Sequence, residues 1–397
     1  MNLRPYQQKA IETLKQYNKG KVIFPTGAGK TVVMLEDVRQ RINSSSSPLN
    51  FVIVAPKILL ASQLASQFKS YLQKENIYVT YVHSGEDGTT NVSEIITINN
   101  LVKQFNTHHL IFTTYKSLPK INEANIEIDY CYFDEAHHST SQSNFVGVAQ
   151  TSAISKNTYF FTATPKHNDT QSSMCNSDVY GGTILSIPAN YLVKNGYILP
   201  PKIETYECFG DDAENVLRFV KNIDIVNPKI LVAAPSTQVI MDMFTETELL
   251  SELEELGFHI LHITSKYGAV VNNKKVSREE FFEILSKLGS NDNEKFIVFH
   301  YAILSEGIDC PGLTHALLLR NLPFIELAQT IGRIVRMNKQ DYIDIQNGLI
   351  EPGDFESYRK PCGIVSVPTK SRRGDRIAQR LQEVVNTIFV EGKVLIA

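Results

Sequence analysis

The sequence predicts an α/β protein of two parallel-sheet domains. Three observations carry this. Short, β-rich apolar runs alternate with helical patterns along the 397 residues, the signature of repeated βα units. Two of those runs echo each other, Val52-Ile53-Val54-Ala55-Pro56 and Leu231-Val232-Ala233-Ala234-Pro235, each a buried-strand pattern that ends in Ala-Pro before a helix. A chain of this length with 43% hydrophobic residues is also too long for one ordinary core.

In the first half the expected strands are Val22–Phe24, Phe51–Ala55, Tyr78–Val82, Ile95–Ile98, Leu110–Thr113, Tyr130–Phe133 and Tyr159–Thr162. Asn43 to Pro48 and Gly85 to Gly88 read as polar spacers. Pro200-Pro201 and the acidic Asp211-Asp212-Ala213-Glu214 open a second set, with strands expected at Ile230–Ala234, Ile260–Thr264, Phe296–His300 and Ala316–Leu319. The boundary falls between residues 196 and 228, which gives domains 1–200 and 201–397.

Composition excludes several classes. A net charge of −3 leaves no global basic signature, so any nucleic-acid site must be a local stripe. The five cysteines are far apart, with no Cys-x-x-Cys pair and no histidine at zinc-finger spacing, and read as reduced thiols of an intracellular protein. The start, Met1-Asn2-Leu3-Arg4-Pro5-Tyr6, lacks the apolar core of a signal peptide, and no run approaches membrane-spanning length. The expectation is a soluble, cytoplasmic protein with no membrane partner, near the nucleoid, or in host cytoplasm if a phage encodes it.

The strongest motif is Pro25-Thr26-Gly27-Ala28-Gly29-Lys30-Thr31, set between the apolar run Lys21-Val22-Ile23-Phe24 and the helical start Val32-Val33-Met34-Leu35. Strand, tight turn and helix form the context of a phosphate-binding loop. The glycines let backbone N–H groups close around a triphosphate, Lys30 supplies a point charge at the β and γ phosphates, and the Thr31 hydroxyl is a Mg²⁺ ligand. The general pattern has glycine where this chain has Phe24.

About one hundred residues on, Cys131-Tyr132-Phe133 leads into Asp134-Glu135-Ala136-His137-His138, two adjacent carboxylates at the C-terminal end of a strand. Asp134 suits Mg²⁺, directly or through water, and Glu135 suits the positioning and deprotonation of an attacking water. His137 reads as a polar link from the ATP cleft to neighbouring motifs.

The set resembles the superfamily 2 helicases, with a DEAH form of the Walker B motif, over nearly the whole chain. Arg4-Pro5-Tyr6-Gln7 is similar to the adenine-reading segment, with Arg4 and Gln7 as its contacts. Pro25 to Thr31 resembles motif I, Val54-Ala55-Pro56-Lys57 motif Ia, Thr113 to Leu118 motif Ib, Asp134 to His137 motif II, and Thr162-Ala163-Thr164-Pro165 motif III. Leu231 to Thr237 stands at motif IV, Ser305 to Gly312 resembles motif V, and Gln329-Thr330-Ile331-Gly332-Arg333-Ile334-Val335-Arg336 resembles motif VI. The resemblance implies two tandem RecA-like domains, each a parallel sheet flanked by helices, with ATP and Mg²⁺ in the interdomain cleft.

It also implies roles. Lys30, Asp134, Glu135, Gln329, Arg333 and Arg336 are the expected catalytic residues, with Thr31 and Asp134 on the metal. Arg4, Gln7, Thr26, Gly27, Ala28, Gly29, Lys30, Thr31, Gly307 and Asp309 are expected to bind nucleotide, and His137, Thr162 and Thr164 to couple the sites. Arg333 and Arg336, three residues apart on one helical face, suit arginine fingers that neutralise charge in the phosphoryl-transfer transition state. Pro56, Lys57, Thr114, Tyr115, Ser236, Thr237 and Ser305 are the expected nucleic-acid contacts, gripping phosphates without reading bases; hydroxyl residues at strand-to-helix junctions also serve as helix caps.

The basic run Lys370-Ser371-Arg372-Arg373-Gly374-Asp375-Arg376, with Arg380 beyond, reads equally as a backbone-tracking stripe or a solvated turn before a helix. The compact layout and the finger motif look most like the DNA-directed group of type III restriction Res subunits, XPB-like helicases and phage UvsW-type helicases. The expected function is an ATP-dependent DNA helicase or translocase acting on branched or duplex DNA in repair, recombination or replication. An RNA helicase and a nucleotide-switched subunit of a larger defence or restriction complex, its specificity supplied by a protein partner, are the alternatives.

Overall fold

The computed structural model describes residues 3–264, 266–301, 311–394 and 396, and these form two compact units, one built from the stretch ending at Ile187 and the other mainly from Pro188–Lys393. Ser305, Gly307 and Asp309 lie outside the described residues.

The first unit holds β1 (Lys19–Ile23), β2 (Asn50–Ala55), β3 (Ile77–Val82), β4 (His108–Thr114), β5 (Tyr130–Phe133), β6 (Asn157–Thr162) and β7 (Gly182–Ser186). They form one sheet in the order β3-β4-β2-β5-β6-β1-β7, and every pairing is parallel. Parallel pairing sends each connection back over the sheet, so helices cover the faces and the central strands become wholly apolar. β2 is buried along its full length. One face packs Val52, Val54, Ile111, Phe133 and Phe160 into a core with Ile121, Val148 and Tyr180.

The second unit holds β8 (Pro201–Glu207), β9 (Lys229–Ala233), β10 (His259–Thr264), β11 (Gly268–Val271), β12 (Lys274–Val276), β13 (Phe296–His300), β14 (His315–Leu318) and β15 (Gly363–Thr369). Their order is β12-β11-β10-β13-β9-β14-β15-β8, parallel except for the antiparallel β10-β11-β12 edge. The two echoing runs therefore occupy similar places: β2 lies between β4 and β5, and β9 between β13 and β14, each an interior strand of its sheet.

One strand expectation is corrected. Ile95–Ile98 is not a strand but part of the helix Val92–Gln104. The Asn91 side chain accepts from the N–H groups of Ser93 and Glu94, at 3.0 and 3.4 Å, and so caps a helix start. Ile95, Asn99 and Val102 then turn inward at helical spacing. Lys274 and Lys275 stand in β12 behind an Asn272-Asn273 turn with both φ values positive, at 46° and 62°. That is the backbone a two-residue hairpin needs, and asparagine tolerates it. Among the described residues no helix is long and apolar enough to cross a membrane.

Candidate functional site

The loop between β1 and the helix Lys30–Ser44 turns through two left-handed glycines, Gly27 at φ 87° and Gly29 at φ 81°. Such φ values disfavour any residue with a Cβ. At Gly29 space forbids one as well, because a Cβ would lie 2.4 Å from Gln7 Nε2. Gln7 is itself fixed: its Oε1 accepts from the Arg4 N–H at 3.0 Å in the capping box of the helix Pro5–Leu14. The Arg4 guanidinium donates to the Tyr6 hydroxyl at 3.1 Å. The segment expected to read adenine is thus packed against the phosphate loop. Lys30 opens the helix, so its N–H and those that follow carry the positive end of the helix dipole to the loop.

β5 delivers the acid pair. Asp134 continues the ladder, its N–H donating to Val54 O at 2.9 Å, and Glu135 then turns into the left-handed region at φ 45° and ψ 54°. A side chain there costs of order 1 kcal/mol, a conformation that persists only when its surroundings impose it. Here they do: a short 3₁₀ turn, Ala136–Thr140, follows directly, and the Tyr115 hydroxyl props Asp134 O at 2.8 Å. The turn aims Glu135 at the loop, with Oε1 3.5 Å from Lys30 Nζ and both side chains over nine-tenths buried.

From Glu135 a polar chain runs onward. Its Oε2 is 3.6 Å from His137 Nδ1, which lies 3.2 Å from Thr162 Oγ1, and that hydroxyl accepts from the Thr164 N–H at 3.1 Å. Lys30, the acid pair and the Thr162 to Thr164 segment are one connected set inside the first unit. Burial and then the Glu135 charge push the Asp134 carboxyl up. Burial acts on Glu135 in the same direction, but Lys30 and then His137 and His138 outweigh it and hold that carboxyl below its ordinary value. Glu135 is therefore the ionised member, fit to accept a proton or hydrogen bond from water. Asp134 gains from any cation brought beside it, and with the half-buried Thr31 hydroxyl it offers the hard oxygen donors that Mg²⁺ takes.

In the second unit, Gln329 and Arg333 lie on the helix Phe324–Ile334 and are both buried. Neither polar atom of the Gln329 amide has a hydrogen-bond partner among the described residues. One geometric expectation is corrected: the helix ends at Ile334 with Val335 as its C-cap, so Arg336 lies past the helix and does not share an α-helical face with Arg333.

The expected nucleic-acid contacts are dispersed. Lys57 is exposed at the N-cap of the helix Ile58–Tyr71, next to the half-buried Pro56. Thr114 is buried, its hydroxyl donating to Ser117 Oγ at 3.2 Å. Tyr115, expected as a nucleic-acid contact from the motif Ib resemblance, is 2% exposed: its ring packs against Phe133 in the core and its hydroxyl supports Asp134 O. Ser236 caps the helix Thr237–Thr245, accepting from the Val239 N–H at 3.1 Å, with Thr237 the first helical residue. The basic run is largely engaged within its unit: Lys370 pairs with Glu207 at 3.1 Å, Arg373 pairs with Asp212, and Arg380 donates to Leu322 O while stacking over the Phe324 ring. Tyr115 and Val54 as supports of the acid turn escaped sequence reading, since neither backbone pairing nor burial is written in a motif.

Residues 1–167 match the family model of the type III restriction enzyme res subunit. The chain is 22% identical over 387 aligned positions to the DNA 3'-5' translocase XPB2 of Sulfurisphaera tokodaii, covering 87% of this chain and 81% of that protein. Among solved structures it superposes on the ATP-dependent type ISP restriction-modification enzyme LlaBIII bound to DNA, with a TM-score of 0.71, 16% identity and 98% of this chain covered. It also superposes on Saccharomyces cerevisiae Dbp5 bound to RNA and ADP BeF3, with a TM-score of 0.59, 16% identity, and coverage of 100% of this chain and 94% of the other. These likenesses establish tandem RecA-like domains. The chain spans only 30% of the length of LlaBIII.

Proposed function

We propose that this chain, a superfamily 2 helicase of the Res/XPB type, is an ATP-driven motor that translocates on DNA and remodels duplex or branched DNA. The observation that carries the reading is the buried chain Lys30, Glu135, His137, Thr162, which joins a phosphate-loop lysine to a general base and to the segment expected to transmit the cycle. Lys30 and the loop N–H groups hold the phosphates, and Glu135 orients water and takes its proton. Thr31 and Asp134 are the residues that would hold Mg²⁺, which supplies neutralising charge at the phosphates when bound. Arg333 and Arg336 of the second domain complete that neutralisation in the transition state, with Gln329 beside them.

Nucleic acid is held by backbone contacts, with Pro56, Lys57, Thr114, Ser236 and Thr237 the residues to test. DNA is favoured because the relative matched over most of both chains is a DNA translocase. Repair, recombination or replication is the setting such a motor suits, in the cytoplasm and with a protein partner supplying specificity. The test is steady-state hydrolysis of Mg²⁺-ATP with no nucleic acid, single-stranded DNA, forked DNA, duplex DNA or RNA. Stimulation of about tenfold or more by one of the DNA forms is expected. Stimulation by RNA alone would transfer the motor to RNA, and indifference to every nucleic acid would point to a partner-dependent subunit.

A further inference from the structure

The helix that carries Gln329 and Arg333 stops at Ile334, and Arg336 follows two residues beyond. The carbonyls at such an end have no partner within the helix and need one from elsewhere when buried. Leu199 N–H supplies Val335 O at 2.8 Å. Ile334 O and Arg336 O are both supplied by one group, the Lys360 ammonium, at 2.5 and 2.8 Å. The third donor of that ammonium goes to Leu313 O, also at 2.5 Å, just ahead of β14. All three ammonium hydrogens are thereby used, on a side chain only 7% exposed.

Lys360 is itself built in. Its backbone N–H donates to Asp341 Oδ2 at 3.2 Å, and Asp341 is fully buried and also receives Arg359 at 3.0 Å. Three residues on, Gly363 lies so close to the helix end that a Cβ there would be 2.5 Å from Ile334 O. The segment from Lys360 to Gly363 is thus pressed on the turn where the chain leaves the helix between the two arginines. Burial first, then Arg336, push the Lys360 ammonium down to about 7, and the three carbonyl acceptors and the negative end of the helix dipole favour its protonated form.

We propose that Lys360 is a positioning residue for the arginine pair: by tying Ile334 O and Arg336 O to Leu313 O it fixes the turn that sets Arg333 and Arg336 in their relative orientation. The proposal rests on the motor reading, in which those arginines act on the transferring phosphate. A lysine that merely stabilised the fold would lower activity whatever residue stood at 333. One that acts through the arginines loses its effect when the arginine is gone.

The test is a double-mutant cycle of Lys360→Met and Arg333→Ala, read as kcat for DNA-stimulated ATP hydrolysis at saturating ATP. Lys360→Met is expected to lower kcat about tenfold or more while KM for ATP and Kd for DNA stay within about twofold. In the Arg333→Ala background, where only Arg336 is left to be misplaced, the same change is expected to cost a several-fold smaller loss. An equal fold-loss in both backgrounds would overturn the proposal. If Arg333→Ala alone leaves kcat intact, the motor's arginine assignment fails first and takes the basis for Lys360 with it. Should Lys360→Met not fold by circular dichroism, Lys360→Arg carries the cycle: it keeps the charge and is expected to recover part of kcat, and a loss that persists undiminished with Ala at 333 would again refute the coupling.

Discussion

Replacing Arg333 with alanine is expected to lower kcat for DNA-stimulated ATP hydrolysis by about 10³-fold, the effect of removing an arginine finger. Arg333 is 3% exposed on a helix that buries Leu327, Ile331 and Ile334 together with the polar Gln329 and Thr330. Burying a guanidinium is costly in desolvation, so its position in the fold is closely specified. Its field is felt locally: burial first, then Arg333 and Arg320, push the His300 imidazole down to about 3, so that histidine stays neutral beside the two guanidinium groups. Arg333→Lys is expected to restore little, since an ammonium lacks the planar fork that spans two phosphate oxygens. Steady-state kinetics with parallel melting curves separate chemistry from folding, and a kcat within about threefold of wild type would remove Arg333 from the mechanism.

Glu135→Gln is expected to lower kcat by about 10²-fold to 10⁴-fold, the range for loss of a general base. The substitution is nearly isosteric, so the left-handed turn at φ 45° and its support by the Tyr115 hydroxyl are retained. Nucleotide affinity should not fall. In the wild type Glu135 holds Lys30 at 3.5 Å and competes with phosphate for it; the neutral amide competes less, so ATP should bind as well or a few-fold tighter. Titration of a fluorescent ATP analogue checks the second half of this expectation. Weaker binding together with lost turnover would mean that Glu135 organises the loop and is not the base.

The residues that the structure brings together around Lys30 and Glu135 were legible because each attaches to a local pattern. A run of apolar residues ending in Gly-Lys-Thr or Asp-Glu locates both the strand and the chemical group at its end, and the Lys30 to Glu135 contact follows from setting two such strand ends in one parallel sheet. The misses are those where a cap or a distant partner outweighs the residue's own preference. Ile95-Ile96 has the β-branched character of a strand, yet the Asn91 cap makes it helical. β15 contains Pro368, a residue that argues against a strand. It is tolerated because Pro368 pairs with Tyr206 of β8 beyond the last residue paired to β14, so its missing N–H breaks no ladder on that side. Lys360 is invisible in sequence: its carbonyl partners Leu313, Ile334 and Arg336 lie 24 to 47 residues away.

Tyr115 shows the opposite error. The motif Ib resemblance implied a phosphate contact at Tyr115, but the ring is packed at 5.9 Å from that of Phe133 and the hydroxyl is spent on Asp134 O. The nucleic-acid expectation for this stretch accordingly passes to its neighbours.

The central claim is that ATP turnover drives movement along DNA. Displacement of a triplex-forming third strand from duplex DNA by the purified chain tests it most directly, because a translocating motor sheds the third strand without any need to unwind the duplex. Release that requires hydrolysable ATP and Mg²⁺, and is lost in Glu135→Gln, is the predicted result. Robust DNA-stimulated hydrolysis with no release of the third strand would contradict it and leave an ATPase that binds DNA without moving.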